Sequence, residues 1–127
     1  MLKRRHEVID QYDEAFKDMS VYRLCHEDET QRSSGHLYFI RPKDIGELER
    51  NEIIAKLAER GIATNVHYKP LPLLTAYRNL GFEMNAYPNS YSFYKNEITL
   101  PLYSKLTEEQ VEYIIKNTVK VLRDYVD

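Results

Sequence analysis

Apolar residues recur at steps of three and four in three stretches of the chain, which is the spacing of helices that bury one face. These stretches predict helices from Leu2 to Met19, from Leu48 to about Arg60, and from Thr107 to Val126. Gly61 follows the second stretch and suits the left-handed position just past a helix end. Thr107 and Gln110 have the spacing of a capping box at the start of the third helix.

Three short runs between these helices are β-prone and predict strands: GHLYFIRP, IATNVHY and EITLPLY. The second run alternates strictly, which places Asn65 and His67 on the same face. Pro42 ends the first run because it cannot continue a hydrogen-bonded ladder. Between the second and third runs, the pattern predicts a turn, a short helix from about Leu73 to Leu80, and another helix opening at Pro88.

About three strands and at least four helices predict an α+β fold, a small three-stranded sheet with helices packed on it. The chain has 127 residues and a mass of 15.1 kDa, the usual size of one domain, so we expect a single domain over residues 1–127. Charged residues make up 30% and the hydrophobic set 43%, a balance typical of globular proteins rather than disordered ones.

The charge and cysteine content narrow the function classes further. Lysine and arginine number 18 against 20 acidic residues, which leaves no surplus for phosphate neutralisation, so we expect no nucleic-acid partner. No apolar run approaches the length of a membrane span, and we expect no membrane partner. Cys25 is the only cysteine, so an internal disulfide is impossible and the prediction is a reducing, cytoplasmic location.

Several residues are of the types found in metal and catalytic sites, but their spacing does not match such a site. The run from His26 to Glu29 contains possible metal ligands, yet it lacks the two-histidine spacing of one helical face, so we predict a solvated loop and no metal site. Cys25 and His26 also suggest a thiolate–imidazole pair, but no third positioned group is identifiable. For His6 and His36 the sequence favours a structural or surface role.

One cluster differs from these candidates. His67, Tyr68 and Lys69 bring an imidazole, a phenol and an ammonium to the end of a predicted strand, directly before the stiff turn formed by Pro70 and Pro72. Sites are often built where a strand meets a loop.

At these residues the sequence resembles the carboxy-terminal domain of the DegT/DnrJ/StrS family of pyridoxal-phosphate-dependent nucleotide-sugar aminotransferases. The resemblance runs from about Arg4 to Leu122 through ordered motifs: GHLYFIRP, RNEIIAKLAERGIATNVHYKPLPLLTAYRNLGF and YPNSYSFYKNEITLPLYSKLTEEQVEYII. The ordered set, rather than any single motif, carries the likeness.

The resemblance implies a transferase that moves an amino group, usually from glutamate, onto a nucleotide-linked keto sugar, as in polysaccharide biosynthesis. It also implies that pyridoxal phosphate and its Schiff-base lysine belong to a larger amino-terminal domain, whose doubly wound sheet needs on the order of 200 residues. We therefore expect this chain to be the small domain alone, with that large domain as its missing partner. On its own it would have no catalytic residues, no cofactor and no activity.

By the same resemblance, His67 and Tyr68 match the HY pair that shapes the substrate side of the active-site cleft. The family often has a second histidine where this chain has Pro72, which indicates a different sugar or nucleotide.

Two other functions stay open at this point. The first is a non-catalytic interaction or regulatory module on the same scaffold, which could form a homo-oligomer through tyrosine-rich patches, since tyrosine suits half-wet interfaces and the chain has 11 tyrosines. The second is a nucleotide or RNA binder, for which the charge balance provides no clear positive stripe.

Overall fold

The computed structural model describes residues 1–127 and contains five α-helices and a three-stranded sheet. In chain order the elements are α1 (Leu2–Phe16), β1 (Val21–Arg23), β2 (Tyr38–Pro42), α2 (Glu47–Glu59), α3 (Thr75–Asn79), α4 (Pro88–Tyr94), β3 (Ile98–Leu100) and α5 (Glu108–Leu122). Short 3₁₀ turns cover Leu71–Leu73 and Met84–Ala86. The α+β class predicted from the sequence is confirmed.

The sheet is antiparallel throughout, with the order β1-β2-β3. Val21 of β1 pairs with Pro42 of β2, and Tyr38 of β2 pairs with Leu100 of β3. Within β2, Tyr38 and Ile40 are fully buried while Phe39 between them is half-buried. This alternation gives the sheet one face toward the main core and one face toward α4, where Phe39 meets Phe93 edge to face.

The three long helices pack on the sheet through the stripes that the periodicity predicted. One hydrophobic core of 18 buried residues joins α1, α2, α5 and the strands. It includes Tyr12 and Phe16 of α1, Leu57 of α2, and Val111 and Leu122 of α5. Burial of these side chains is the main stabilising contribution to the fold.

The start of α5 and the end of α2 follow the predicted signals, whereas the predicted ends of α1 and α5 do not. Thr107 caps α5: its hydroxyl accepts from the Gln110 N–H at 3.2 Å, and the Gln110 side chain accepts from the Thr107 N–H at 3.0 Å. Gly61 has φ +74° just past α2, as predicted. The predicted extension of the first helix to Met19 is wrong, because the chain leaves α1 after Phe16 and turns into β1. The predicted extension of the third helix to Val126 is also wrong, because α5 ends at Leu122.

The strand predictions need two corrections. The pattern of the sequence did not predict β1, which is only three residues long. The run IATNVHY is not a regular strand: only Asn65 pairs with the sheet, through an isolated bridge to Thr99. The ladder ends there because the Val66 N–H turns to the Asn65 side chain at 2.8 Å and the His67 N–H to a carboxylate of Glu97.

The remaining predictions hold with shifted boundaries. The helix expected at Leu73–Leu80 is divided into a 3₁₀ turn and α3, and α4 opens at Pro88 as predicted. The third predicted strand shortens to β3, which ends before Pro101. No helix combines the length and the apolar character that crossing a bilayer requires.

Candidate functional site

His67 and Tyr68 lie in the segment that leaves the edge of β3. The His67 side chain is half-buried, whereas Tyr68 is 72% exposed. Their rings meet edge to face with centroids 4.6 Å apart, and the peptide bond between them is cis. The two side chains that the sequence singled out therefore form one surface feature, with the imidazole anchored and the phenol projecting.

Hydrogen bonds to β3 and the residue before it anchor His67. Its backbone N–H donates to Oε2 of Glu97 at 2.8 Å, and its ring Nδ1 lies 2.8 Å from Oγ1 of Thr99. The Thr99 hydroxyl in turn donates to Oε1 of Glu97. Glu97 thus holds the backbone of His67 directly and its ring through Thr99.

Glu97 is a buried carboxyl group in a low-dielectric setting. It has no exposed surface, and burial raises its pKa above the ordinary glutamate range. The hydrogen bonds from Thr99 and from the His67 backbone act in the opposite direction, as does the charge of Arg50. These three groups favour the ionised form of Glu97.

Arg50 of α2 fixes the backbone around Glu97. Its side chain is buried, and Nη1 donates to the carbonyl oxygens of Tyr94 at 3.0 Å and of Glu97 at 3.3 Å. The guanidinium also lies over the Tyr94 ring, and Nη2 is 3.8 Å from a carboxylate oxygen of Glu47. The junction between α4 and β3, which presents Glu97 to His67, is therefore fastened to the helix layer.

Pro72 contributes to an apolar surface rather than to a polar contact. It lines a pocket of about 320 Å³. The other lining residues are Leu71, Tyr77, Phe82, Tyr87 and Ser90. Lys69, next to Tyr68, is exposed.

The candidate residues near Cys25 lie in the loop between β1 and β2 and do not join this site. The exposed Cys25 thiol donates to the carbonyl of Glu27 at 3.2 Å, while Nδ1 of the buried His26 is 2.8 Å from Oγ of Ser33, so the two form no thiolate–imidazole pair. No three His, Cys, Asp or Glu side chains converge as a metal-binding group.

The two remaining histidines and His26 serve the packing of this loop or the surface. Nε2 of His6 lies 2.9 Å from the carbonyl of Ser33, and the His26 ring stacks on Tyr38. Burial lowers the pKa of His26; Asp13 opposes this shift and His6 adds to it. His36 is exposed.

The sequence reasoning missed Glu97, Thr99 and Arg50. Arg50 had a usable signal, because it occupies the same helical stripe as Ile53 and Leu57 at the spacing i, i+3, i+7. Glu97 stands at the head of the apolar run EITLPLY, where a carboxyl group needs partners if it is buried. Neither signal identifies His67 as the partner, since 30 residues separate the two.

Comparisons with known proteins give matches along nearly the whole chain. The sequence model of the DegT/DnrJ/EryC1/StrS aminotransferase family matches residues 1–119. The UDP-4-amino-4,6-dideoxy-N-acetyl-beta-L-altrosamine transaminase of Helicobacter pylori is 30% identical over 125 residues, which cover 98% of this chain and 33% of that protein. The spore coat polysaccharide biosynthesis protein SpsC of Bacillus subtilis is 31% identical, over 91% of this chain and 31% of that protein.

Solved structures agree with this result. Spr1654 of Streptococcus pneumoniae, described as a sugar aminotransferase and solved in a form with PLP, superposes with a TM-score of 0.94 at 52% identity, over 98% of this chain and 32% of that one. PseC of Helicobacter pylori, an aminotransferase involved in the biosynthesis of pseudaminic acid, superposes with a TM-score of 0.83 at 32% identity, over 98% and 33% of the two chains. The chain spans about a third of the length of the curated relatives it matches.

Proposed function

The chain belongs to the DegT/DnrJ/EryC1/StrS aminotransferase family and corresponds to its carboxy-terminal small domain, and from this premise we propose that it forms the substrate-side wall of a nucleotide-sugar aminotransferase. The reaction we propose is the transfer of an amino group from glutamate to a nucleotide-linked keto sugar. The family match over residues 1–119, with His67 and Tyr68 on the surface, is the observation that supports it.

A larger domain would hold the pyridoxal phosphate. The residues of this chain do not fit that cofactor, because it needs an enclosed lysine with an acid and phosphate donors around it, and no lysine here is buried. When bound, the cofactor supplies the electron sink for amino transfer. We propose that residues 1–127 form a single domain that is inactive until joined to that partner.

His67 and Tyr68 would act on the substrate rather than on the cofactor. The anchored imidazole offers a fixed polar group, and the exposed phenol offers a flat amphipathic surface for a sugar or nucleotide.

The test is a chimera that joins this chain to the amino-terminal two-thirds of its 52% identical relative from Streptococcus pneumoniae. We expect the chimera to convert a nucleotide-linked keto sugar with glutamate as donor, and the 127-residue chain alone to convert none. Turnover by the chain alone, or a stoichiometric pyridoxal phosphate adduct on it, would contradict the proposed division of labour.

Variants of the chimera test the two site residues. We expect His67→Phe to lower kcat/KM about 10- to 100-fold, the range for losing one positioned hydrogen bond to the transition state, and Tyr68→Phe to lower it a few-fold. Tyr113→Phe is the control, since its exposed hydroxyl donates only to the carbonyl of Arg60. Unchanged kinetics for both site variants would remove His67 and Tyr68 from the substrate site.

A non-catalytic interaction module is the second candidate function. Exposed apolar side chains between residues 68 and 91 favour it, because such patches mark interaction surfaces. A chimera that folds and binds pyridoxal phosphate, yet transfers no amino group to any keto sugar tested, would favour the module over the enzyme.

A further inference from the structure

Glu97 and Thr99 form a directed hydrogen-bond chain to the His67 ring. We propose that they are positioning residues that hold the neutral imidazole of His67 with its proton on Nδ1, which leaves Nε2 as a hydrogen-bond acceptor for a ligand. The identity of that ligand rests on the proposed function: in a sugar aminotransferase, Nε2 would take a sugar hydroxyl, which can donate, rather than a phosphate oxygen, which cannot.

The backbone N–H of His67 sets the donor-to-acceptor direction of these hydrogen bonds. A backbone N–H can only donate, so Oε2 of Glu97, 2.8 Å away, must accept. Oε1 accepts from the Thr99 hydroxyl. Both oxygens of Glu97 therefore act as acceptors, which is the role of an ionised carboxylate.

The single hydroxyl proton of Thr99 then decides which nitrogen of the His67 ring carries a proton. Because the hydroxyl gives its proton to Glu97, Oγ1 can only accept from Nδ1 of His67, which lies 2.8 Å away. The ring must carry its proton on Nδ1 to make this bond. Nε2 has no partner within the chain and keeps its lone pair.

Because Glu97 and Thr99 are buried, Glu97 depends on the hydrogen bonds that these neighbouring groups donate to it. Thr99 is 6% exposed and Glu97 is fully buried, so water does not replace a lost partner. Burial raises the pKa of Glu97, and the bonds from Thr99 and the His67 backbone counter that rise. The same bonds that orient the ring thus also favour the ionised form of the carboxylate.

The test is long-range ¹H–¹⁵N NMR of the histidine rings in the 127-residue chain at about pH 8.5, roughly two units above the ordinary imidazole pKa. The unmodified chain is expected to show His67 protonated on Nδ1. The exposed His36 serves as an internal reference for an unconstrained ring. A His67 ring protonated on Nε2 in the unmodified chain would overturn the proposal by itself.

Three variants then test the positioning roles. In Glu97→Gln, the amide oxygen should face the His67 N–H and the amide NH₂ should donate to Thr99, whose own proton must then point to Nδ1. We expect the ring proton to move to Nε2. Thr99→Val should shift the ring toward the mixture of His36, and Thr99→Ser should restore the pattern of the unmodified chain.

Each outcome of these measurements either supports or contradicts the proposal. If Glu97→Gln and Thr99→Val fold, as judged by amide dispersion, and leave the proton on Nδ1, the positioning roles are wrong. If either fails to fold, the unmodified chain and Thr99→Ser still decide the tautomer. The measurement needs no substrate, cofactor or second domain, so its outcome is separate from success or failure of amino transfer in the chimera.

Discussion

Helices α1, α2 and α5 bury their apolar stripes against the sheet, whereas the segment from Tyr68 to Tyr91 leaves many of its apolar side chains on the surface. No residue of this segment belongs to the 18-residue core. Leu57 of α2 is fully buried, while Leu80 of the segment is 74% exposed. Both regions contain leucine and aromatic side chains, but the helices bury them and the segment exposes them.

The difference makes the segment a candidate surface for contacts outside this chain. Other exposed apolar side chains of the segment are Leu71, Leu74, Phe82 and Tyr87. Burying apolar area is favourable, so a folded chain that leaves this much of it in one segment has a surface suited to a partner. His67 lies at the border between the two regions, anchored by the first and adjoining the second.

The largest expected effect is on the free energy of unfolding, and it is tested by changing one leucine in each of the two regions. Leu57→Ala should lower the free energy of unfolding by about 2–5 kcal/mol, because it opens a cavity in the core. Leu80→Ala should change it by less than about 0.5 kcal/mol. Urea unfolding followed by circular dichroism measures both, and similar losses for the two variants would contradict the comparison.

The second prediction tests whether Arg50 stabilises the junction between α4 and β3. Arg50→Met should lower the free energy of unfolding by about 1–3 kcal/mol, because the carbonyls of Tyr94 and Glu97 lose their buried donor. Arg78→Met, in the exposed α3, is the matched control and should be nearly neutral. If both arginine variants unfold at the same urea concentration as the original, Arg50 does not fasten the junction.

A smaller, pH-dependent effect belongs to the packed region. Burial lowers the pKa of His26 in the folded state, so the unfolded chain binds a proton there first as the pH falls. The corresponding stability is present above the ordinary imidazole pKa of about 6.5 and is lost as the pH falls through that value toward the lowered one. Asp13 and His6 are the charged or titratable groups that modify this shift.

Urea midpoints measured between about pH 8 and pH 5 check this expectation. His26→Asn should flatten the decline toward low pH, whereas His36→Gln, which changes an exposed ring, should leave it as it is. An equal decline in all three chains would assign the pH dependence to other groups.

The smallest effect on stability sharpens the idea of an interaction surface. We expect the chain to self-associate weakly at high concentration, and Leu80→Glu to reduce this while changing the free energy of unfolding by less than about 0.5 kcal/mol. Leu48→Glu is the control, because Leu48 is 72% exposed but lies on α2 outside the segment. Sedimentation at several concentrations that finds only monomers, or equal effects of both variants, would remove self-association from this surface.

Much of the fold was readable in the sequence because its signals are local. The apolar stripe of α5 and its capping pair Thr107 and Gln110 predict that helix with its start, and Gly61 predicts the end of α2. His67 and Tyr68 indicated the candidate site by their residue types before a turn and by the resemblance to the HY pair. The strand β1 escaped notice because three residues carry too little periodicity to stand out from a loop.

The sequence alone determined which helical faces are apolar, where α5 begins, where α2 ends, and which family the chain resembles. Only the tertiary structure decided that Asn65 pairs with Thr99 and that Glu97, rather than a neighbouring strand, takes the His67 N–H. It also decided that the apolar side chains after Tyr68 stay outside the core. The reason is that periodicity encodes local geometry, while the partner of a buried polar group depends on which distant segments meet.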